Sequence, residues 1–108
     1  MNKYNNKKTE YQGLKFASIR ERNRYIYLKE LEDTGKIHNL QLQKKYELQE
    51  KFILNGKTIR AINYICDFYY IDQYGKEHIE DTKGMRTETY KIKKKLFQFK
   101  YKRNIEEI

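Results

Sequence analysis

The chain has no proline and no tryptophan, and only one cysteine, two histidines and five glycines among its 108 residues. Each scarcity removes a class of protein. A lone Cys66 cannot close an intramolecular disulfide, and a free thiol in an apolar strand suits a reducing cytoplasm. Two scattered histidines and one cysteine argue against a zinc site. No run approaches the roughly 18 apolar residues of a membrane-spanning helix, and no signal-peptide pattern opens the chain, so membrane is not the expected partner. Without Pro/Ser-rich linkers or internal repeats, the length reads as one domain with one modest core. Mean hydropathy is -1.09, low enough to raise the question of disorder. The 11 tyrosines and 5 phenylalanines answer it, because they supply the apolar area a fold needs. Lys and Arg total 24 against 15 Asp and Glu, a net charge of +9 that favours an anionic partner such as nucleic acid.

Residues 1–12 lack periodicity and read as a basic arm that either orders on a partner or frays, ahead of a single domain over 13–108. From Ser18 to about Thr34 the pattern is helical, with Ser18 and Glu21 at capping-box spacing and Gly35 placed to end the helix. Glu21, Tyr25 and Leu28 fall on one face, so Glu21 points inward. Residues 36–43 and 46–54 carry strand signals, and Asn55-Gly56 is the strongest hairpin turn. The following strand continues from Lys57, with a bulge expected near Asn63, toward Asp67. A second helix is expected from Thr87 to about Phe99, with Ile92, Leu96 and Phe99 on its apolar stripe. Tyr90, Phe97 and Tyr101 form a narrower stripe that is either core, a stacking surface for bases or a dimer contact. Residues 104–108 are expected as a short edge strand. The order helix, strands, helix, strand gives an α+β fold with α/β/α layering.

Asp67 lies inside the apolar run Ile65-Cys66-Asp67-Phe68-Tyr69. A carboxylate there must be paired, metal-bound or protonated, because desolvating it alone costs several kcal/mol. The turn chemistry of Asp72-Gln-Tyr-Gly75 folds the chain into a hairpin. With the turn centred on Tyr74, Asp67 faces Asp81, their Cβ atoms about 4.5–5.5 Å apart. Alternation adds Lys83 to that face and turns Glu80 and Thr82 to the other. Two carboxylates and an amine so placed can hold a divalent cation beside a phosphate, or form a buried ion-pair cluster; removing one carboxylate would then relieve repulsion.

Asp67, thirteen intervening residues, then Asp81-Thr82-Lys83 resembles the PD-(D/E)XK nuclease signature, with Cys66-Asp67 standing where the family has Pro-Asp. The layout from Asn6-Lys-Lys-Thr-Glu-Tyr11 through Glu80-Asp-Thr-Lys-Gly84 to the basic helix resembles small phage-encoded proteins placed in this superfamily near the Holliday-junction resolvases. The resemblance implies a restriction-endonuclease-like core and catalysis by Asp67, Asp81, Lys83 and Glu21. Asp67, Asp81 and Glu21 would bind Mg²⁺ or Mn²⁺, and Lys83 would orient the attacking water. Glu21 is open to a second reading, as a member of the capping box alone. Gln43 and Glu80 are lesser site candidates, and His38 and His78 are expected on the surface.

Between Tyr90 and Arg103 stand seven basic residues and no acid: Lys91, Lys93, Lys94, Lys95, Lys100, Lys102 and Arg103. Either they bind DNA phosphates or they form a solvated helix face. The leading expectation is a metal-dependent endonuclease of branched DNA, a homodimer in the cytoplasm of a phage's bacterial host, since symmetric nicking of a junction needs two sites about a two-fold axis. The alternative is a non-catalytic nucleic-acid-binding phage protein, a regulator or packaging accessory, on the same fold.

Overall fold

A computed structural model describes residues 8–82 and 86–108. It opens with a hairpin, β1 (Thr9–Tyr11) and β2 (Leu14–Phe16), turned by Gln12 and Gly13 at φ 51° and 81°. Tyr11 lays its ring edge-on to Tyr25, 6.2 Å between centroids. The arm expected over 1–12 therefore gives way to folded chain at Thr9. Helix α1 (Ile19–Asp33) starts where Ser18 Oγ accepts the Glu21 N–H at 3.1 Å, and Gly35 leaves it at φ 79°. Glu21, Tyr25 and Leu28 are its buried face, as their spacing predicts.

The next 36 residues form one long antiparallel ribbon, broken into segments. Strands β3 (Ile37–Leu42), β4 (Lys45–Gln49) and β5 (Phe52–Leu54) run out; β6 (Lys57–Ile59), β7 (Ile62–Ile65) and β8 (Phe68–Asp72) run back. The pairs are β5 with β6, β4 with β7 and β3 with β8. Asn55 and Gly56, at φ 50° and 75°, close the tip as the Asn-Gly pair requires. The bulge expected near Asn63 is present as a register shift between Glu47 and Gln49, on the strand facing it. Between the inner two segments the ribbon stays bonded, Gln43 N–H to Asp67 O at 3.1 Å and Cys66 N–H to Lys44 O at 3.0 Å. Asp67 sits at that junction, where the ribbon leaves the main sheet.

Strand β9 (Glu77–Asp81) pairs with β8 in the expected register, Phe68 facing Glu80 and Ile71 facing Glu77. After helix α2 (Glu88–Tyr101), strand β10 (Glu106–Glu107) lies parallel to β9 at the edge. The main sheet has the order β10-β9-β8-β3. Alternate residues of β8 feed opposite layers: Phe68 and Tyr70 pack with Tyr25 and Leu28 of α1, Tyr69 with Tyr90 and Phe97 of α2. The fold is thus α+β with a helix on each face. Phe68, Phe97 and Leu28 are wholly buried, and each such side chain contributes roughly 1.5–3 kcal/mol.

Helix α2 corrects the expected stripe. Tyr90 and Phe97 are its buried residues, with Tyr101 packed beside them, whereas Ile92, Leu96 and Phe99 are 58%, 40% and 76% exposed. The aromatic rings won the core because Phe97 and Tyr101 both close edge-on contacts with Tyr46, at 5.0 and 5.2 Å. Among the described residues no helix is long and apolar enough to cross a membrane.

Candidate functional site

Asp67 and Asp81 lie at the open end of the β8–β9 hairpin, one just before β8 and one at the end of β9, whereas Glu21 lies on α1. Helix α1 is clamped there by Arg24, whose Nε and Nη2 donate to Glu80 Oε1 and Oε2 at 2.8 and 2.6 Å. Glu80 is wholly buried and also accepts from the Tyr70 hydroxyl. A bidentate guanidinium on a desolvated carboxylate is a strong, directional pair, and it drives the Arg24 pKa above its ordinary value. One turn earlier, Arg20 Nη1 reaches the Ile108 carbonyl at 3.5 Å, and the Ile108 N–H donates to the Asp81 carbonyl at 2.9 Å. Glu21 is buried and lies between these two anchors in sequence.

Asp67 and Asp81 do not stand as the simple hairpin register predicts. Phe68 already faces Glu80, yet the Asp67 N–H also donates to the Glu80 carbonyl at 2.9 Å, so two residues of one strand address one of the other. This is a β-bulge arrangement, and it turns a side chain off the alternation. The Asp67 carboxylate goes to Thr82, with Oδ2 accepting the backbone N–H at 2.7 Å and the hydroxyl at 2.8 Å. Asp81 is wholly buried, and its Oδ2 accepts the Tyr64 hydroxyl at 2.8 Å. Burial first, and the Asp81 charge second, push the Tyr64 pKa well up, so Tyr64 keeps its proton and remains a donor. The two acids are held by different partners rather than paired across one face. Lys83 lies outside the described residues.

Neither Thr82, Tyr64 nor Arg24 was singled out in the sequence. Arg24 carries a usable signal, since it lies one turn from Glu21 on a helix whose inner face already holds a charge. Glu80, a lesser candidate, proves to be the buried anchor. Gln43 is exposed at φ 55° and contributes its N–H to Asp67. His38 is exposed as expected, but His78 is half-buried: its ring stacks on Tyr70 at 4.7 Å and contacts Asp72 at 2.8 Å and Glu106 at 2.7 Å.

The basic helix is less bare than its sequence. Lys94 pairs with Glu107 at 3.0 Å, Lys91 with Glu88 at 3.3 Å and Arg103 with Glu77 at 2.8 Å. Lys100 Nζ donates to the Glu47 carbonyl at 2.8 Å, and Lys102 lies 4.5 Å from the Phe99 ring centroid. Among the described residues Lys93 and Lys95 make no ion pair.

Among the described residues no three His, Cys, Asp or Glu side chains group closely enough to hold a metal ion between them. Mg²⁺ asks for less, since it keeps several waters and takes one or two carboxylates plus substrate phosphate oxygens. The donors here are all hard oxygens, and Asp67 Oδ1 accepts no hydrogen bond from a described residue. Asp67 and Asp81 thus fit such an ion by donor chemistry. Comparison with curated proteins and with solved structures finds no match. The family model described as protein of unknown function (DUF1064) matches residues 1–107, and the chain belongs to that family.

Proposed function

We propose that this protein is a Mg²⁺- or Mn²⁺-dependent endonuclease that hydrolyses phosphodiester bonds in branched DNA such as Holliday junctions, as a homodimer. The observation that carries this reading is Asp81, a wholly buried carboxylate at the end of β9, where Asp67 reaches the neighbouring Thr82 and where Arg24 anchors α1 to Glu80. Desolvating acids costs stability, and a site that later binds a cation beside phosphate gives that cost a use. The order helix, mixed sheet, helix, parallel edge strand agrees with the PD-(D/E)XK core that the sequence resembles.

In this reading Asp67 and Asp81 would hold the ion, while Glu21, the third carboxylate the resemblance implies, does not group with them closely enough to share it. The ion supplies Lewis acidity, lowering the pKa of an attacking water and offsetting phosphate charge. Thr82 and Tyr64 orient the two carboxylates, and Lys83 steadies the water or the developing oxyanion. The net charge of +9, with Lys93 and Lys95 making no ion pair among the described residues, supplies sequence-independent attraction to the backbone. The lone Cys66 agrees with work in the reducing cytoplasm of a bacterial host.

The deciding experiment incubates the protein with labelled linear, flap and four-way-junction DNA in Mg²⁺, Mn²⁺ or EDTA. Cleavage of the junction with either metal, none with EDTA, and loss of cleavage but not binding in Asp81→Asn are expected. Binding of every substrate without cleavage in any metal would overturn the nuclease and leave a non-catalytic nucleic-acid-binding protein.

A further inference from the structure

Between Glu50 and Asp67 the chain holds three cations, Lys51, Lys57 and Arg60, and no acid. All three belong to the outer hairpin of the ribbon, β5 and β6, which pairs only with itself and in which every residue from 51 to 60 is exposed. Lys91, Lys94 and Arg103 are already paired with carboxylates of the fold. Lys51, Lys57 and Arg60 make no ion pair among the described residues. Cations held out on a projecting element without a carboxylate are available to an anion from outside.

The register sets Phe52 across from Ile59, Ile53 from Thr58 and Leu54 from Lys57. One face therefore carries Phe52, Leu54, Lys57 and Ile59, and the other carries Ile53 and Thr58, to which alternation adds Lys51 and Arg60. Each face is basic and apolar at once. That mixture chooses between anionic partners. A lipid surface takes an element with one apolar face and its cations gathered on the polar one. A duplex groove instead has phosphates along both walls and bases at its floor, and the major groove, about 12 Å wide, admits a two-stranded ribbon. A ribbon inside it meets phosphate with both faces and bases with its tip, where Ile53 and Leu54 are 72% and 57% exposed.

The hairpin also stands at a suitable distance from Asp67. Lys100 Nζ and the Tyr101 hydroxyl both donate to the Glu47 carbonyl, at 2.8 and 2.7 Å, so α2 braces the ribbon along its length. Arg60 and Lys57 precede Asp67 by seven and ten residues, at most about 23 and 33 Å along a strand. One turn of duplex is about 34 Å, so DNA with a phosphate at Asp67 passes the hairpin within that turn. At a branch point the base stack is already interrupted, and an apolar side chain meets base faces there without first opening a step.

We propose that the β5–β6 hairpin is the element that recognises branched DNA, entering a groove at the branch point with Lys51, Lys57 and Arg60 on phosphates and Ile53 and Leu54 against the open base stack. The inference rests on the branched-DNA substrate of the proposed function and not on its cleavage chemistry.

Fluorescence anisotropy titrations of the full chain in EDTA, with a four-way junction and with linear duplex of equal length, test it. Replacing Lys51, Lys57 and Arg60 together with Gln should lower the slope of log affinity against log salt on the junction by close to three contacts of about 0.9 each. Ile53→Asn with Leu54→Asn should keep that slope and reduce the preference for junction over duplex by about tenfold. All five side chains are exposed, so urea midpoints of both variants should stay near wild type, and lost affinity then reports contact rather than unfolding. A Gln variant with the wild-type slope, or an Asn variant with the wild-type preference, overturns the proposal. So does hairpin-dependent binding to phosphatidylglycerol vesicles alongside DNA binding that ignores the hairpin, which would make this a membrane contact. Failure of the nuclease would show as absent cleavage in Mg²⁺ and Mn²⁺ and would leave these EDTA titrations unchanged.

Discussion

The Asp67 carboxylate accepts two hydrogen bonds from one residue, the N–H and the hydroxyl of Thr82, at 2.7 and 2.8 Å. Thr82 is buried, so truncating Asp67 strands its N–H. Asp67→Ala is expected to lose about 1–3 kcal/mol of stability in EDTA, whereas Asp67→Asn, which keeps an acceptor, stays near wild type. The expectation built on facing carboxylates was the reverse, a gain from relieved repulsion. Urea unfolding decides: an Asp67→Ala protein more stable than wild type would restore repulsion as the dominant effect.

Arg24 and Glu80 hold α1 to the sheet, and Glu80 has no exposure to fall back on. Arg24→Met should cost about 3–5 kcal/mol, because it leaves a buried carboxylate without its cation. Adding Glu80→Gln removes that charge while keeping an acceptor for the Tyr70 hydroxyl, and should recover most of the loss. A double-mutant cycle in urea measures the coupling. An Arg24→Met protein within about 1 kcal/mol of wild type would mean that the pair is solvated in solution.

Local signals were read well, and the failures share a cause. Ser18, Asn55-Gly56 and the Asp72–Gly75 turn act on backbone within a few residues of themselves, so the α1 start, the ribbon tip and the β8–β9 register were all legible. The face that Asp67 takes depends instead on a bulge where the long ribbon leaves the sheet, a tertiary event that alternation cannot see. The α2 stripe failed for a similar reason. Ile92, Leu96 and Phe99 are good helical spacing, but Tyr46 and Tyr64 offer their rings to Tyr90, Phe97 and Tyr101. Likewise two of the acids that pair the basic stretch, Glu77 and Glu107, are sequence-distant, in β9 and β10.

Glu107 links the edge strand to α2. The hydrogen bond from Tyr90, then those from Lys94 and Arg86, hold its pKa down at about 2, against an ordinary 4.5. A depressed carboxylate stabilises the fold fully above 4.5 and loses that contribution as pH falls toward 2. Glu77, lowered by Tyr69 and Arg103, acts in the same direction. Glu107→Gln should therefore flatten the stability-against-pH curve in this window, read from urea midpoints at successive pH values. A curve of unchanged slope would remove Glu107 from the acid response.

The ion pairs on α2 sort its lysines into two kinds. Lys91 and Lys94 already face Glu88 and Glu107, and a phosphate must compete with those carboxylates. Lys93 and Lys95 have no such competitor among the described residues. Each phosphate contact contributes about 0.9 to the slope of log affinity against log salt on duplex DNA. Replacing Lys93 and Lys95 with Gln should lower that slope by close to two contacts, and replacing Lys91 and Lys94 by less, in fluorescence anisotropy titrations run with EDTA so that cleavage cannot intervene. Substituting all four should flatten the plot furthest. If the Lys93 and Lys95 protein keeps the wild-type slope, α2 is a solvated face, and the +9 charge acts on DNA through another surface.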